Sequence, residues 1–331
     1  MRIIGLAAAA ALGLLPMAAL DPDQIPLVAG EHPGDEGIEQ DPRVLVAEDF
    51  EVGDLEEVVD RWTEASNQSG ALELANGSPD AAGDRCLRIT ATVGENTGGH
   101  LYQSLDEGVD EAYLRFYVRF PEEAGYVHHF VTLGGYHPPT RWPQGGAGER
   151  PAGDDRITVG IEPHGVGGSH PPPGIWSFYA YWHEMKASAD GRYWGNTIRP
   201  LEPPPVPAGR WQCVEVGLKL NTVGPDGPRR DGRLRLWLDG DSVLDVSQGT
   251  PRGAWTGMGF EVRESGGDPF EGFSFRTTED LKINFLWMMH YVTETALRRN
   301  GIEPPFDPVV VEFDSIVLAT ARVGPIVRVE S

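Results

Sequence analysis

Ten short runs of alternating apolar and polar residues, set apart by clusters of Gly, Pro, Asp and Asn, constrain this chain more than any other feature. They are Val44–Glu51, Leu87–Val93, Ala112–Phe120, His128–Leu133, Arg156–Glu162, Ile175–His183, Trp211–Asn221, Arg233–Gly240, Leu281–Val292 and Val309–Ala321. A period of two sends successive side chains to opposite faces of an extended strand, so each run can bury one face and wet the other. Helical periodicity is scarce, with Asp54–Trp62 and Thr293–Asn300 as the two short candidates. The pattern predicts an all-β antiparallel sandwich over residues 43–326, followed by a tail at 327–331. A chain of 331 residues that is 40% hydrophobic has enough apolar material for one dominant core.

The first twenty residues, MRIIGLAAAAALGLLPMAAL, carry one Arg, a short Ala/Leu run and small residues at Ala18 and Ala19, which predicts a secretory signal peptide. Residues 21–42 are acidic and contain Pro without periodicity, the composition of a linker. No later segment offers the roughly 20 apolar residues of a spanning helix. The expected location is therefore secreted or periplasmic, with no membrane contact once the signal is removed. The formal net charge of −23 argues against nucleic acid as a partner, since binding phosphates needs a basic surface. An acidic ligand would have to be met by cations gathered locally, because salt screens the long-range field beyond about 8 to 10 Å.

Cys86 and Cys213 each lie in a strand-like run. Export permits a disulfide between them, with two buried thiols as the alternative. No Cys/His spacing matches a zinc site, so no metal ligands are assigned. Asp49 in the first run and Asp314 in the last are candidates for a structural calcium where the two ends of the fold pair; no cofactor is required for catalysis.

The run Ile175–His183 places Tyr179, Tyr181 and His183 on one face and Phe178, Ala180 and Trp182 on the other. Two long Gly/Pro-rich loops, 136–155 and 163–174, lead into this run and could wall a cleft holding Trp142, His164 and His170. His128 and His129 are adjacent, so regular alternation sends them to opposite faces and does not choose between them. Nine Trp and nine Tyr supply planes for sugar stacking, among them Trp142, Trp176, Trp194 and Trp255.

Three segments together resemble the alginate- and glucuronan-cleaving polysaccharide lyases of family fourteen. They are AYLRFYVRFPEEAGYVHHFVTLGGY from Ala112, the Tyr179-x-Tyr181 run, and GRWQCVEVGLKLN with DGRLRLWLDG between Gly209 and Gly240. The resemblance implies a concanavalin A-like β-jelly roll and β-elimination on a uronate-containing polysaccharide. It implies Tyr179, Tyr181 and His129 as catalytic residues, with His129 at the position of a family lysine. A family arginine has no clear counterpart, Arg156 being the nearest, and the carboxylate-neutralising group stays unassigned. His183, Arg156, Trp142 and Trp176 complete the set as substrate-binding residues. His for Lys is chemically tolerable because imidazole titrates near 6.5 and serves as base or acid at neutral pH. Two other functions stay open: a non-catalytic carbohydrate-binding module, and a glycoside hydrolase with two carboxylates across the scissile bond.

Overall fold

The computed structural model describes residues 26–79, 83–140 and 146–328, so the expected signal peptide lies outside the described residues. Two β-sheets enclose the main core. The back sheet has eight strands in the order Asp241–Val246, Arg233–Leu238, Gln212–Lys219, Glu111–Arg119, Val309–Ala319, Arg85–Ala91 and Leu72–Asn76, with Val44–Glu48 also paired to Val309–Ala319. The front sheet has ten, running Asp268–Pro269, Arg252–Thr256, Gly259–Val262, Asn196–Arg199, Ile175–Tyr181, Arg156–His164, Val131–Tyr136, Ile283–Tyr291, Gly98–Val109 and Glu64–Ser66. Pairing is antiparallel throughout the two sheets except between Asn196–Arg199 and Gly259–Val262. Neighbours in each sheet come from distant parts of the sequence, the connectivity of a jelly-roll sandwich.

Period-two alternation builds the interior. From the back sheet, Ala112, Leu114, Phe116 and Val118 point inward at 0–2% exposure; Ile157, Val159, Ile161, Trp176, Phe178 and Ala180 answer from the front sheet. Each large apolar side chain buried this way contributes roughly 1.5–3 kcal/mol. Both expected helices form. Leu55–Arg61 is capped by Asp54, which accepts from the Glu57 N–H, and Glu294–Arg299 by Thr293, which accepts from the Ala296 N–H.

Two expectations are corrected here. Residues 28–42 are not a free tether: Val28, Ala29 and Ile38 are buried, and Val28 and Ala29 donate to the Arg322 and Val323 carbonyls. This strap and the 320–328 segment cover the outward face of the back sheet, so Arg115 and Glu215 are as buried as their inward neighbours. Arg115 pairs with Asp35, and Glu215 accepts the Val323 and Gly324 N–H groups. Secondly, Cys86 and Cys213 are free buried thiols. Their strands are separated by Glu111–Arg119 and Val309–Ala319, three strand spacings or about 14 Å, well beyond disulfide reach. Where the two ends of the fold pair, the Asp49 carboxylate acts electrostatically on the buried Asp314.

Candidate functional site

The outward face of the front sheet forms a groove of about 1250 Å³. Its shape follows from register. Tyr179 lies opposite Gly160, Gly160 opposite Thr132, and Thr132 opposite Trp287. One row along, Tyr181 faces Thr158, Thr158 faces Gly134, and Gly134 faces Phe285. Small residues thus make a floor between a tyrosine wall and a Phe/Trp wall. A Cβ at Gly160 would stand 3.3 Å from Glu162 Oε1, so its absence keeps the floor low beside that carboxylate.

His128 and His129 both reach this groove. Regular alternation forbids that, and a β-bulge accounts for it. The N–H groups of His128 and His129 both donate to the Tyr291 carbonyl, at 2.8 and 3.1 Å, and Tyr291 N–H donates back to the His129 carbonyl. Two residues therefore oppose one, and the inserted residue removes the face reversal between neighbours. The two imidazoles stack with centroids 4.3 Å apart, and His129 lies parallel to the Tyr291 ring.

His129 Nδ1 donates to Glu162 Oε1 at 2.9 Å, leaving Nε2 as the nitrogen not engaged by that bond. Burial disfavours the imidazolium, but the charge and hydrogen bond of Glu162 outweigh it, and the His129 pKa is raised above its ordinary value. His128 goes the other way. Burial, then His129 and Arg299, push it down to about 4, and its Nδ1 is held by the Thr293 hydroxyl at 2.9 Å.

The Tyr179 ring sits 5.3 Å from that of His129, and its hydroxyl is 3.3 Å from the Tyr181 hydroxyl. Burial, then Tyr181 and Glu162, raise the Tyr179 pKa, so Tyr179 stays protonated. Behind it, Gly195 packs so closely that a Cβ would lie 2.4 Å from Tyr179 Cε1. The Arg156 guanidinium lies 5.4 Å from the Tyr181 ring centroid and donates to the carbonyls of Gly146 and Glu149. Gly146, at φ +78, allows that close approach, since a Cβ there would meet the guanidinium carbon at 2.4 Å.

Tyr179, Tyr181, His129 and Arg156 are thus brought together. Two other assignments fail. Trp176 is fully buried on the core face and donates its indole N–H to Gln212. His183 lies beyond the end of the Ile175–Tyr181 strand, where alternation no longer governs its direction; it contacts Ser274 at 3.2 Å and is not part of the groove lining. Trp142 falls outside the described residues. His164 lines the groove as expected of the loop-flanked cleft, whereas His170 contributes a carbonyl to Tyr126. Sequence reasoning did not place Glu162, Arg199 or Arg299 in this groove, and it did not put His128 and His129 there together. For Glu162 a signal existed: it shares parity with Arg156, Thr158 and Gly160 on a recognised strand.

No protein-family model matches the chain, and no curated protein matches it by sequence. Solved structures do. The alginate lyase vAL-1 from Chlorella virus superposes with a TM-score of 0.55 at 13% identity, over 83% of this chain and 99% of that one. The marine PL-14 alginate lyase from Aplysia kurodai gives 0.51 at 14% identity, over 84% and 99%. A variant of alginate lyase Aly36B in complex with alginate trisaccharide gives 0.51 at 16%, over 85% and 99%. At such identities the likeness is one of fold: this chain has the β-sandwich of the alginate lyases.

Proposed function

We propose that the protein is an exported polysaccharide lyase that cleaves a uronate-containing polysaccharide by β-elimination. The observation that carries this reading is the His129–Glu162 dyad facing the Tyr179–Tyr181 hydroxyl pair across one groove. Elimination needs a base for the C5 proton and an acid for the departing oxygen. His129 Nε2 takes the C5 proton, the released electron pair forms the C4–C5 double bond, and the C4–O bond breaks. The leaving glycosidic oxygen takes its proton from the Tyr181 hydroxyl. No water is consumed, and one product end is an unsaturated uronate. Glu162 holds His129 in the tautomer with the proton on Nδ1 and stabilises the imidazolium formed. Tyr179, kept protonated by its surroundings, orients the Tyr181 hydroxyl. Each positioned acid or base supplies on the order of a hundred- to ten-thousandfold.

The fold likeness to alginate lyases is compatible with this reading, and the Ala/Leu-rich N-terminus supports export. A two-carboxylate hydrolase fits poorly. Among the described groove-lining residues the carboxylates are Glu64 and Glu162, whose strands lie four spacings apart, about 19 Å, against the roughly 5 to 9.5 Å that glycoside hydrolysis requires. The aromatic walls would also serve a binding module, and the test separates the two. Incubation with alginate, glucuronan, hyaluronan and neutral β-glucans, followed at 235 nm, should show unsaturated product with a uronate polymer and none with neutral glucans. Tyr181→Phe keeps the ring and removes the hydroxyl, and should lower the rate at least a hundredfold. Uronate binding without product would leave the module reading standing, and unchanged turnover by Tyr181→Phe would remove Tyr181 from the chemistry.

A further inference from the structure

The β-elimination reading leaves the uronate carboxylate without a partner, and Arg156, the nearest candidate in sequence, is engaged by the carbonyls of Gly146 and Glu149. Two other guanidinium groups line the groove, those of Arg199 and Arg299. Resting on the uronate reading, we propose that Arg199 and Arg299 are the carboxylate-binding pair of the groove, receiving carboxylates of neighbouring sugars in a bound polyuronate.

Charge accounting is the first argument. The chain holds 50 acidic against 27 basic Lys and Arg residues, so a cation can find a carboxylate almost anywhere. Its arginines commonly do: Arg61 pairs with Glu48, Arg88 and Arg119 with Glu312, and Arg276 with Asp110. Arg199 and Arg299 have no carboxylate partner among the described residues, although carboxylates are close at hand. Glu261, directly across from Arg199 in the parallel pairing, has its carboxylate 3.8 Å from Arg263, and Glu162 is bonded to His129. An acidic protein that leaves two groove arginines unpaired holds them ready for an anion from outside.

Placement is the second argument. The register that pairs Ile198 with Phe178, continued by one residue, sets Arg199 across from Ser177, which itself pairs with Glu162. Arg199 thus lies in the dyad's own row, two strand spacings or about 10 Å from the Glu162 backbone. Arg299 comes from the opposite direction, at the end of the helix that Thr293 caps, and the same Thr293 hydroxyl contacts His128. Both guanidinium charges act on His164, and that of Arg299 also reaches His128 and His129. Arg299, whose helix is capped by the hydroxyl that contacts His128, is the one assigned beside the site of proton removal. There it neutralises the carboxylate whose α-proton leaves, while Arg199 holds the carboxylate of a neighbouring sugar.

The test uses the full chain carrying Tyr181→Phe, so that ligand stays intact, and titrates it calorimetrically with hexasaccharides of mannuronate and of glucuronate and with cellohexaose as a neutral control. Arg199→Gln and Arg299→Gln should each weaken binding of whichever uronate hexasaccharide binds by roughly ten- to a hundredfold, the range of a lost hydrogen bond to a charged group. Each should also flatten the salt dependence of that binding, and Lys at either position should restore part of it. In the otherwise native enzyme, Arg299→Gln should lower kcat as well as raise KM, whereas Arg199→Gln should act mainly on KM. Uronate binding unaltered by both Gln variants, with melting temperatures intact, overturns the proposal while the lyase reading stands. Equal losses for cellohexaose overturn it too, since they would report a damaged groove. If no uronate oligomer binds and the native chain forms no unsaturated product, the lyase reading itself falls and this assignment with it.

Discussion

Replacing Glu162 by Gln tests the dyad directly, because the change removes a charge and leaves the shape. His129 Nδ1 donates to Glu162 Oε1 at 2.9 Å, with Glu162 9% and His129 31% exposed at the side chain. A hydrogen bond to a charged group is worth roughly 1.5–3 kcal/mol and one to a neutral amide about 0.5–1.5. With the part of the Coulomb attraction that survives in a half-wet groove, the imidazolium loses about 2 kcal/mol. At about 1.4 kcal/mol per pH unit, the His129 pKa should fall by one to two units. The two influences left, burial and Arg299, both lower it, so the variant should titrate below 6.5 where the native protein titrates above. The measurement is an NMR titration of the His129 ring carbon and proton, which needs no substrate. The sign in activity follows. A base must be neutral, so the rate rises with pH through the His129 pKa, and Glu162→Gln should move that acid limb to lower pH while its plateau falls roughly ten- to a hundredfold. A native His129 titrating at or below 6.5, or a variant that titrates like the native protein, would refute the dyad.

His128 and the fully buried His290 both have pKa values pushed down to about 4, chiefly by burial. Since their unfolded value is higher, the unfolded chain binds more protons between pH 6.5 and 4, and stability should drop as pH falls across that window, by up to about 3 kcal/mol for His290 and by less for the partly solvated His128; denaturant melts at pH 7 and 4.5 check this, and His290→Gln should reduce the dependence. Asp314 shows the opposite sign: burial, with the Glu51 and Asp49 carboxylates adding to it, raises it to about 8. It favours folding at acid pH and should destabilise as pH climbs from 4 towards 8, so Asp314→Asn should raise the melting temperature at pH 8.5 in chelator and flatten the profile. Calcium that stabilises the native chain, but not Asp314→Asn, would instead support the metal site anticipated near Asp49. Gly195→Ala sets a Cβ against the Tyr179 ring, where the nearest atom is at 2.4 Å, and should lower uronate turnover tenfold or more while costing about 1–3 kcal/mol in stability.

The sandwich was legible because period-two alternation is a local property, and each run carries its own record of which face is dry. Trp176, Phe178 and Ala180 are in the core, and Tyr179 and Tyr181 are on the groove, as alternation requires. What alternation cannot carry is where it stops. His183 lies two residues past the strand end and is turned to Ser274, and Trp176 has the parity of the core, so its large ring packs inside instead of offering a stacking plane. The strap at 28–42 was illegible for another reason. Its anchors, Val28, Ala29, Ile38 and Asp35, are scattered among Pro and acidic residues, and their partners lie at the far end of the sequence or on the back sheet. Arg199 and Arg299 share that difficulty, since nothing in a four-residue strand or a one-turn helix end says that it borders a groove.

The bulge at His128–His129 shows how one inserted residue converts a repetitive sheet into a chemical site. Two identical side chains, adjacent in sequence and stacked at 4.3 Å, are pushed in opposite directions. Their difference is in their partners: a neutral hydroxyl on His128 and a carboxylate on His129. Two imidazoliums so close would repel, so the proton goes to the ring that Glu162 favours, and His128 remains a neutral plate beside it. A regular strand would have turned one ring into the core and left no such choice. Because Thr293, the hydroxyl that engages His128, also caps the helix bearing Arg299, the same irregularity ties that arginine to the dyad. In the proposed reading, base, orienting carboxylate and anion-binding cation are joined through a few contacts around one departure from alternation, which is why the tyrosines were found from sequence and the geometry of the histidine beside them was not.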